Sequence, residues 1–149
     1  MKRNEIFRYA EKCLYEYHSN LARLEILRED LRVLRASFDF QSKSYQSAVA
    51  HYGTVSDPVA NHVIKIQELE AQIKRLERNT EPITKLIESI NTMEFKKYSK
   101  GNEYKKILEL FYFSEFSLSE VASKLKKSRQ TISKRRQALV HKAVGYLGL

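Results

Sequence analysis

Apolar residues recur at three- and four-residue steps along the first part of the chain, which is the spacing of one helix face. This stripe consists of Ile6, Ala10, Cys13, Tyr17, Leu21, Leu24, Leu27, Leu31, Leu34 and Phe38. It predicts a first helix from Asn4 to Ala36. Between residues 37 and 56 the periodicity is lost and Ser, Gln and aromatic residues dominate, so we expect a loop that packs partly back on the helices.

A second apolar stripe begins after Asp57, which is suited to cap a helix with Pro58 at its first position. Its members are Val59, Val63, Ile66, Leu69, Ile73, Leu76, Thr80, Ile83, Ile87 and Ile90. The near-heptad register passes through Pro82, so we expect either a kink there or a restart capped by Thr80. The two striped helices can bury each other within one chain as an antiparallel pair, or pair with a second chain.

Residues 117–139 carry the pattern of a helix-turn-helix. Ser117, with Glu120 three residues later, forms a capping box, and Ser128 can cap a second helix. The inward residues are Leu118, Val121, Ala122 and Leu125 on the first helix and Ile132, Leu139 and Ala143 on the second. The small Ala122 lets the helices approach closely. The alternative interpretation is a helical hairpin with a solvated basic face.

A short helix from Glu103 to Phe113 is predicted after the break at Gly101. Its apolar residues Tyr104, Ile107, Leu108 and Phe111 would form a third wall, because two helices alone bury too little apolar surface. Phe113 and Phe116 extend this core in one interpretation and stack on bases in the other. The turn itself is unusual, since Lys126 and Lys127 stand where Gly and an apolar residue are common, and a left-handed conformation at Lys126 would carry strain.

These elements predict an all-α protein in two parts. A long helical hairpin or coiled coil would occupy residues 1–95, and a helix-turn-helix domain would occupy residues 96–149. The chain of 149 residues has only four Gly and two Pro, and it lacks the alternating β-branched runs of a sheet.

The net charge of +9 is concentrated in the last third of the chain. Residues 94–149 contain thirteen Lys and Arg against five Asp and Glu, an excess of eight. A local excess of this size indicates a polyanionic partner, and double-stranded DNA fits the helix-turn-helix. The basic helices lack a large apolar face and no segment could span a bilayer, so we expect no membrane and a cytoplasmic location.

A helical wheel with Ile132 inward places Gln130, Lys134, Gln137 and His141 opposite the core. Gln can pair with adenine and Lys can donate to guanine in the major groove, whereas cations nearer the core suit phosphates. The complete predicted DNA-binding set is Lys126, Lys127, Ser128, Arg129, Gln130, Thr131, Ser133, Lys134, Arg135, Arg136 and Gln137. Within it, Thr131 and Ser133 flank the base-reading face, and Arg129, Arg135 and Arg136 are assigned to phosphates.

Catalytic motifs are missing from the sequence: there is no nucleophile elbow, phosphate-binding glycine loop, zinc-protease motif or cysteine pair. The four histidines lack ligand spacing, and the single cysteine, Cys13, lies on the first apolar stripe as a small buried hydrophobe. We therefore expect a binding protein without enzymatic activity, metal or cofactor.

Two stretches resemble known families. SLSEVASKLKKSRQTISKRRQALVHKAVGYL is similar to the helix-turn-helix of sigma-70 region 4, and YGTVSDPVANHVIKIQELEAQIKRLERNTEPITKLIESI resembles the middle helix of phage and prophage transcriptional regulators of the ArpU and RinA type. Together they cover about half of the chain. The resemblance implies DNA contacts from Ser128, Arg129, Thr131, Lys134 and Arg135, and control of late phage genes for packaging or lysis.

The sequence thus predicts a sequence-specific transcriptional regulator in a bacterial host cell, acting as a homodimer. Two alternatives remain. The small subunit of a phage terminase also joins a helix-turn-helix to an oligomerising coil, but it serves DNA packaging. A coiled-coil adaptor would instead contact RNA polymerase through the sigma-like domain.

Overall fold

Helices form the regular structure in the computed structural model, which describes the backbone of residues 1–52, 57–92 and 100–149 and the side chains of residues 1–38, 59–92 and 103–149. They are α1 (Arg3–Tyr15), α2 (Tyr17–Tyr52), α3 (Asp57–Asn91), α4 (Lys100–Ile107), α5 (Leu118–Leu125) and α6 (Arg129–Leu147), and a π-helical segment, Leu108–Phe113, continues α4. These ranges contain no strand, and the predicted all-α class is confirmed.

The first predicted helix is divided at Glu16, whose φ of −88° and ψ of 0° leave the α-helical region. Backbone hydrogen bonds still run across the break, from the Glu16 N–H to the Lys12 carbonyl (2.9 Å) and from the Asn20 N–H to the Glu16 carbonyl (2.8 Å). No Gly or Pro stands there. The break is instead accompanied by long-range packing, because the ring of Tyr17 stacks on that of Phe113 at 5.8 Å.

The loop predicted for residues 37–56 is wrong as far as Tyr52, since α2 continues to that residue. Residues 53–56 lie outside the described residues. The physical reason is that residues 37–52 contain neither Gly nor Pro. Apolar periodicity indicates which face of a helix is buried, and its loss does not by itself lower the propensity to form a helix.

Helix α3 begins at Asp57, as the sequence predicts, and ends at Asn91. It continues through Pro82 without interruption, so the restart at Thr80 is not observed. Thr80 lies buried on the apolar stripe, and its carbonyl accepts a hydrogen bond of 3.1 Å from the Thr84 hydroxyl.

Residues 21–77 form one compact unit, the hairpin unit, from parts of α2 and α3. Leu24, Leu27 and Leu31 pack with Ile73 in its core. Partly buried neighbours on α3 are Ile66, Leu69 and Leu76. The described stripes of these two helices therefore pack against each other within one chain.

Two ion pairs fix the direction of the helices in the hairpin unit. Arg28 contacts Glu77 at 3.1 Å, and Arg35 contacts Glu70 at 2.6 Å. Because the higher-numbered residue of α2 pairs with the lower-numbered residue of α3, the two helices are antiparallel.

The second compact unit, the head unit, combines residues 1–20 with residues 78–149. This grouping differs from the predicted division between residues 95 and 96, because α1 packs on α6 and on the π-helical segment. The first apolar stripe is continuous in sequence, yet its residues are shared between two cores. Fully buried side chains in the head unit include Leu14, Ile83, Leu86, Ile107, Tyr112, Val121, Leu139 and Val140.

The four apolar residues predicted to line the helix before α5 are buried. They are Tyr104, Ile107, Leu108 and Phe111, on α4 and the π-helical segment. The sequence does not predict the π-helical turn of this segment. In that turn the Ser114 N–H donates to the Glu109 carbonyl, five residues earlier, at 2.9 Å. Tyr112 is likewise not predicted as a core residue; its fully buried ring carries a hydroxyl that donates to the Glu11 carboxylate at 3.0 Å. The wider turn brings neighbouring aromatic residues into the core together.

Burial raises the pKa of the Cys13 thiol to about 11, and the nearby Glu16 carboxylate adds to the shift. At pH 8 the fraction of reactive thiolate is then about a hundredfold lower than for an ordinary thiol. We expect native protein to resist iodoacetamide at this pH and urea-unfolded protein to react rapidly, as measured by the mass of the intact chain over time. Rapid alkylation of the native protein would contradict the buried position of Cys13.

Candidate nucleic-acid interface

Two serine caps define α5 and α6, as the sequence predicts. The Ser117 hydroxyl oxygen accepts the Glu120 N–H at 3.2 Å, and the Ser128 hydroxyl oxygen accepts the Thr131 N–H at 3.1 Å. Each cap satisfies an amide that has no partner within its own helix. The start of α6, where the predicted DNA-binding residues cluster, is therefore well defined.

The turn between α5 and α6 ends the first helix with a left-handed residue. Lys126 has φ 54° and ψ 42°. Its N–H donates to the Ser123 carbonyl (3.3 Å), and the Lys127 N–H donates to the Ala122 carbonyl (3.1 Å), which is the Schellman arrangement. Glycine is the usual residue at this position because a side chain costs about 1–2 kcal/mol in this conformation. The expected turn thus forms with a lysine in the strained position.

One side of α6 is exposed and polar. Gln130, Lys134, Gln137 and His141 are all exposed, and Arg129 is exposed at the start of the helix. The opposite side is buried through Ile132, Leu139 and Ala143, together with Val140, which the sequence analysis missed. Thr131 and Ser133 are partly exposed at the flanks. The predicted face therefore lies on the surface of the head unit.

Three cations of the predicted DNA-binding set are paired with carboxylates of the head unit. Glu103 of α4 contacts Lys127 at 3.5 Å and Arg135 at 3.1 Å, and Glu11 of α1 contacts Arg136 at 3.4 Å. The Nε–H groups of the two arginines are not aligned with these carboxylates, so the contacts are ion pairs and not directed hydrogen bonds. The sequence does not predict either glutamate as a partner, because nothing local distinguishes them from carboxylates on a solvated helix face.

Arg136 has a second contact inside the head unit. Its guanidinium lies over the ring of Phe111 at 5.0 Å, and its side chain is only 26% exposed. An arginine held in this way positions α6 against its neighbours, so Arg136 is less available to a phosphate than the exposed Arg129. Arg135, at 31% exposure, is intermediate.

The two phenylalanines after α4 differ in their surroundings. Phe113 lies 4.2 Å from the ring of His18 and stacks on Tyr17, which supports its interpretation as a packing residue. Phe116 lies under the ammonium of Lys124 at 4.7 Å.

His141 makes an edge contact of 5.8 Å with Phe7 of α1, so the later part of the predicted face borders another helix.

Within the described residues, no cluster of three His, Cys, Asp or Glu side chains is placed to hold a metal ion. No helix in these ranges is long and apolar enough to cross a membrane. Comparison with protein families, curated proteins and solved structures finds no match to this chain.

The strained lysine of the turn allows its charge and its conformation to be tested separately. We expect Lys126→Gly to raise the free energy of unfolding by about 0.5–1 kcal/mol, because glycine relieves the left-handed strain at some entropic cost. Lys126→Ala keeps the strain and should leave stability unchanged. Urea unfolding of both variants and the wild type measures this difference.

Both substitutions remove the same ammonium group, so the difference between the two variants reports on the backbone conformation and not on the charge. Equal stability of the glycine and alanine variants would contradict the strained turn.

Proposed function

We propose that this chain is a sequence-specific DNA-binding transcriptional regulator without enzymatic activity, and that α6 is its recognition helix. The observation that carries the proposal is the exposed row Gln130, Lys134 and Gln137 on a capped helix whose opposite side is anchored in the core. A helix presented in this way can enter the major groove, where amide and ammonium groups read base edges.

The charge distribution supports the same partner. Residues 94–149 carry an excess of eight positive charges, and the carboxylates of Glu103 and Glu11 offset only part of it. Arg129 and Lys126 remain exposed around the start of α6. Cations at this position would contact the phosphates that border the groove while the polar row reads the bases.

The resemblance to regulators of the ArpU and RinA type leads us to propose control of late phage or prophage genes in the cytoplasm of a bacterial host. The terminase small subunit and the adaptor that contacts RNA polymerase are the alternatives. Selection of DNA from a random pool by the full chain, followed by transcription in vitro on the selected site, distinguishes the three. A regulator selects a defined site and changes transcription from it, and failure to enrich any sequence would reject the proposal.

The full chain is required in these experiments. The helix-turn-helix shares its core with α1 and with residues 78–91, so an isolated fragment of residues 94–149 would lose the partners of its buried residues.

Substitutions on the exposed row should separate base contacts from phosphate contacts. We expect Lys134→Ala and Gln130→Ala to weaken binding to the selected site by about 1–3 kcal/mol each and to leave binding to random DNA nearly unchanged. Arg129→Ala, the phosphate-contact control at the start of α6, should weaken binding to both DNAs alike. Fluorescence anisotropy titrations provide the four affinities, and equal losses on both DNAs for every variant would show that the recognition face lies elsewhere.

We also propose that the protein is a homodimer, because the hairpin unit exposes large apolar residues on its outer surface. Ile26 and Val33 are seven residues apart on α2, hence on one side of it, and are 61% and 49% exposed. Ile64 of α3 is 50% exposed. A second copy covering this surface would carry a second recognition helix, and two heads about 34 Å apart would read a site with repeated halves.

The double variant Ile26→Asp/Val33→Asp should be monomeric at micromolar concentration, as measured by light scattering, and should bind the full site more weakly. Its hairpin core is untouched, so helical content should be retained. Arg32→Asp, which lies about 100° away around α2, changes the charge equally and should leave the dimer intact. A monomeric wild type would reject the dimer, whereas a dimeric double variant would show that another surface is used.

A further inference from the structure

Helix α1 is fixed beside the recognition helix by contacts along its whole length. Phe7 meets His141 edge to face at 5.8 Å, and Glu11 contacts both Arg136 (3.4 Å) and Tyr112 (3.0 Å). Ala10 and Leu14 of α1 are fully buried. The first turn of α1 therefore holds a defined position relative to α6, although it is more than a hundred residues away in the sequence.

An open groove of about 460 Å³ lies between the first turns of α1 and the later part of α6. Arg3 and Asn4 line it from α1, and Arg136, Gln137 and His141 line it from α6, above apolar residues such as Phe7. No Asp or Glu side chain lines this groove. Two cations line it, and since Arg136 is already paired with Glu11, Arg3 is the cation that the groove offers to a negatively charged occupant.

The length of α6 indicates which part of the DNA would lie there. Its 19 residues span about 28 Å, whereas the major groove is about 12 Å wide. Gln137 lies eight residues after Arg129, which is about 12 Å along the helix axis. If the start of α6 occupies the major groove, Gln137 lies at its edge and the helix beyond Gln137 passes over the bordering strand. The groove beside α1 then faces the phosphates of that strand.

We propose that α1 adds a phosphate-binding residue, Arg3, to the DNA interface, and that the groove between α1 and α6 receives the sugar-phosphate backbone beyond the recognition face. This inference rests on the proposed function. It extends the interface to a helix that lies outside the helix-turn-helix and is remote from it in sequence.

The test compares two exposed arginines of the same helix in the full-length protein. Arg3→Ala should weaken binding about three- to tenfold near 0.1 M salt, equally on the selected site and on random DNA, and should lower the magnitude of the salt slope by about 0.9. Arg3→Lys keeps the charge and should restore most of the affinity. Arg8→Ala is the matched control, because Arg8 is exposed on α1 but does not line the groove.

Each outcome has a separate meaning. If the wild type binds DNA and Arg3→Ala has the affinity and salt slope of the wild type, the role of Arg3 is overturned while the proposed function stands. Equal losses in Arg3→Ala and Arg8→Ala would also overturn it, since they would reflect general charge. If the wild type binds no DNA at low salt, the proposed function itself fails. Thermal unfolding of the variants checks that α1 remains folded on the head unit.

Discussion

The burial of one side of α6 against α1 and α4 is the packing interaction on which the head unit depends. Ile132, Leu139 and Val140 are almost wholly removed from water, which stabilises the fold by about 1.5–3 kcal/mol for each large aliphatic side chain. This packing determines which side of α6 faces outward. The identity of the exposed residues is therefore a consequence of the core, and α1 is as much a part of that core as α4 and α5.

Charge in the head unit has two separate roles. Glu103 and Glu11 pair with Lys127, Arg135 and Arg136, and these pairs join α4 and α1 to α6. Partly exposed pairs of this kind contribute little to stability individually, but they hold long side chains in place. Arg129 and Lys134 lie farther out and are exposed. A simple count of basic residues would assign all of them to a ligand, whereas the structure divides them between internal positioning and the surface.

Local signals in the sequence predicted local structure well. Ser117 and Ser128 act as caps because a side chain can satisfy amides only two or three residues away, and this relation is visible in the sequence. The start of α3 at Asp57 and the buried residues of α4 follow from similar short-range patterns. The exposed face of α6 follows from the helical period alone, given that Ile132 is buried.

Long-range packing explains what the sequence did not reveal. The break at Glu16 accompanies a contact between Tyr17 and Phe113, and the carboxylate partner of Arg135 is a residue of another helix. A continuous apolar stripe cannot show that its first part belongs to one core and its later part to another. The loop prediction is wrong for a different reason: a loss of apolar periodicity does not end a helix where Gly and Pro are absent.

The remote position of α1 in the sequence has a consequence for how the protein is made. Ribosomes add about 5–20 residues each second, so α1 is synthesised roughly ten seconds before the helix on which it packs. During that interval Ala10, Cys13 and Leu14 have no native partner from α6, and the head unit closes only after the last helix has emerged. The head unit is therefore completed late in synthesis, when helices that are more than a hundred residues apart in sequence meet.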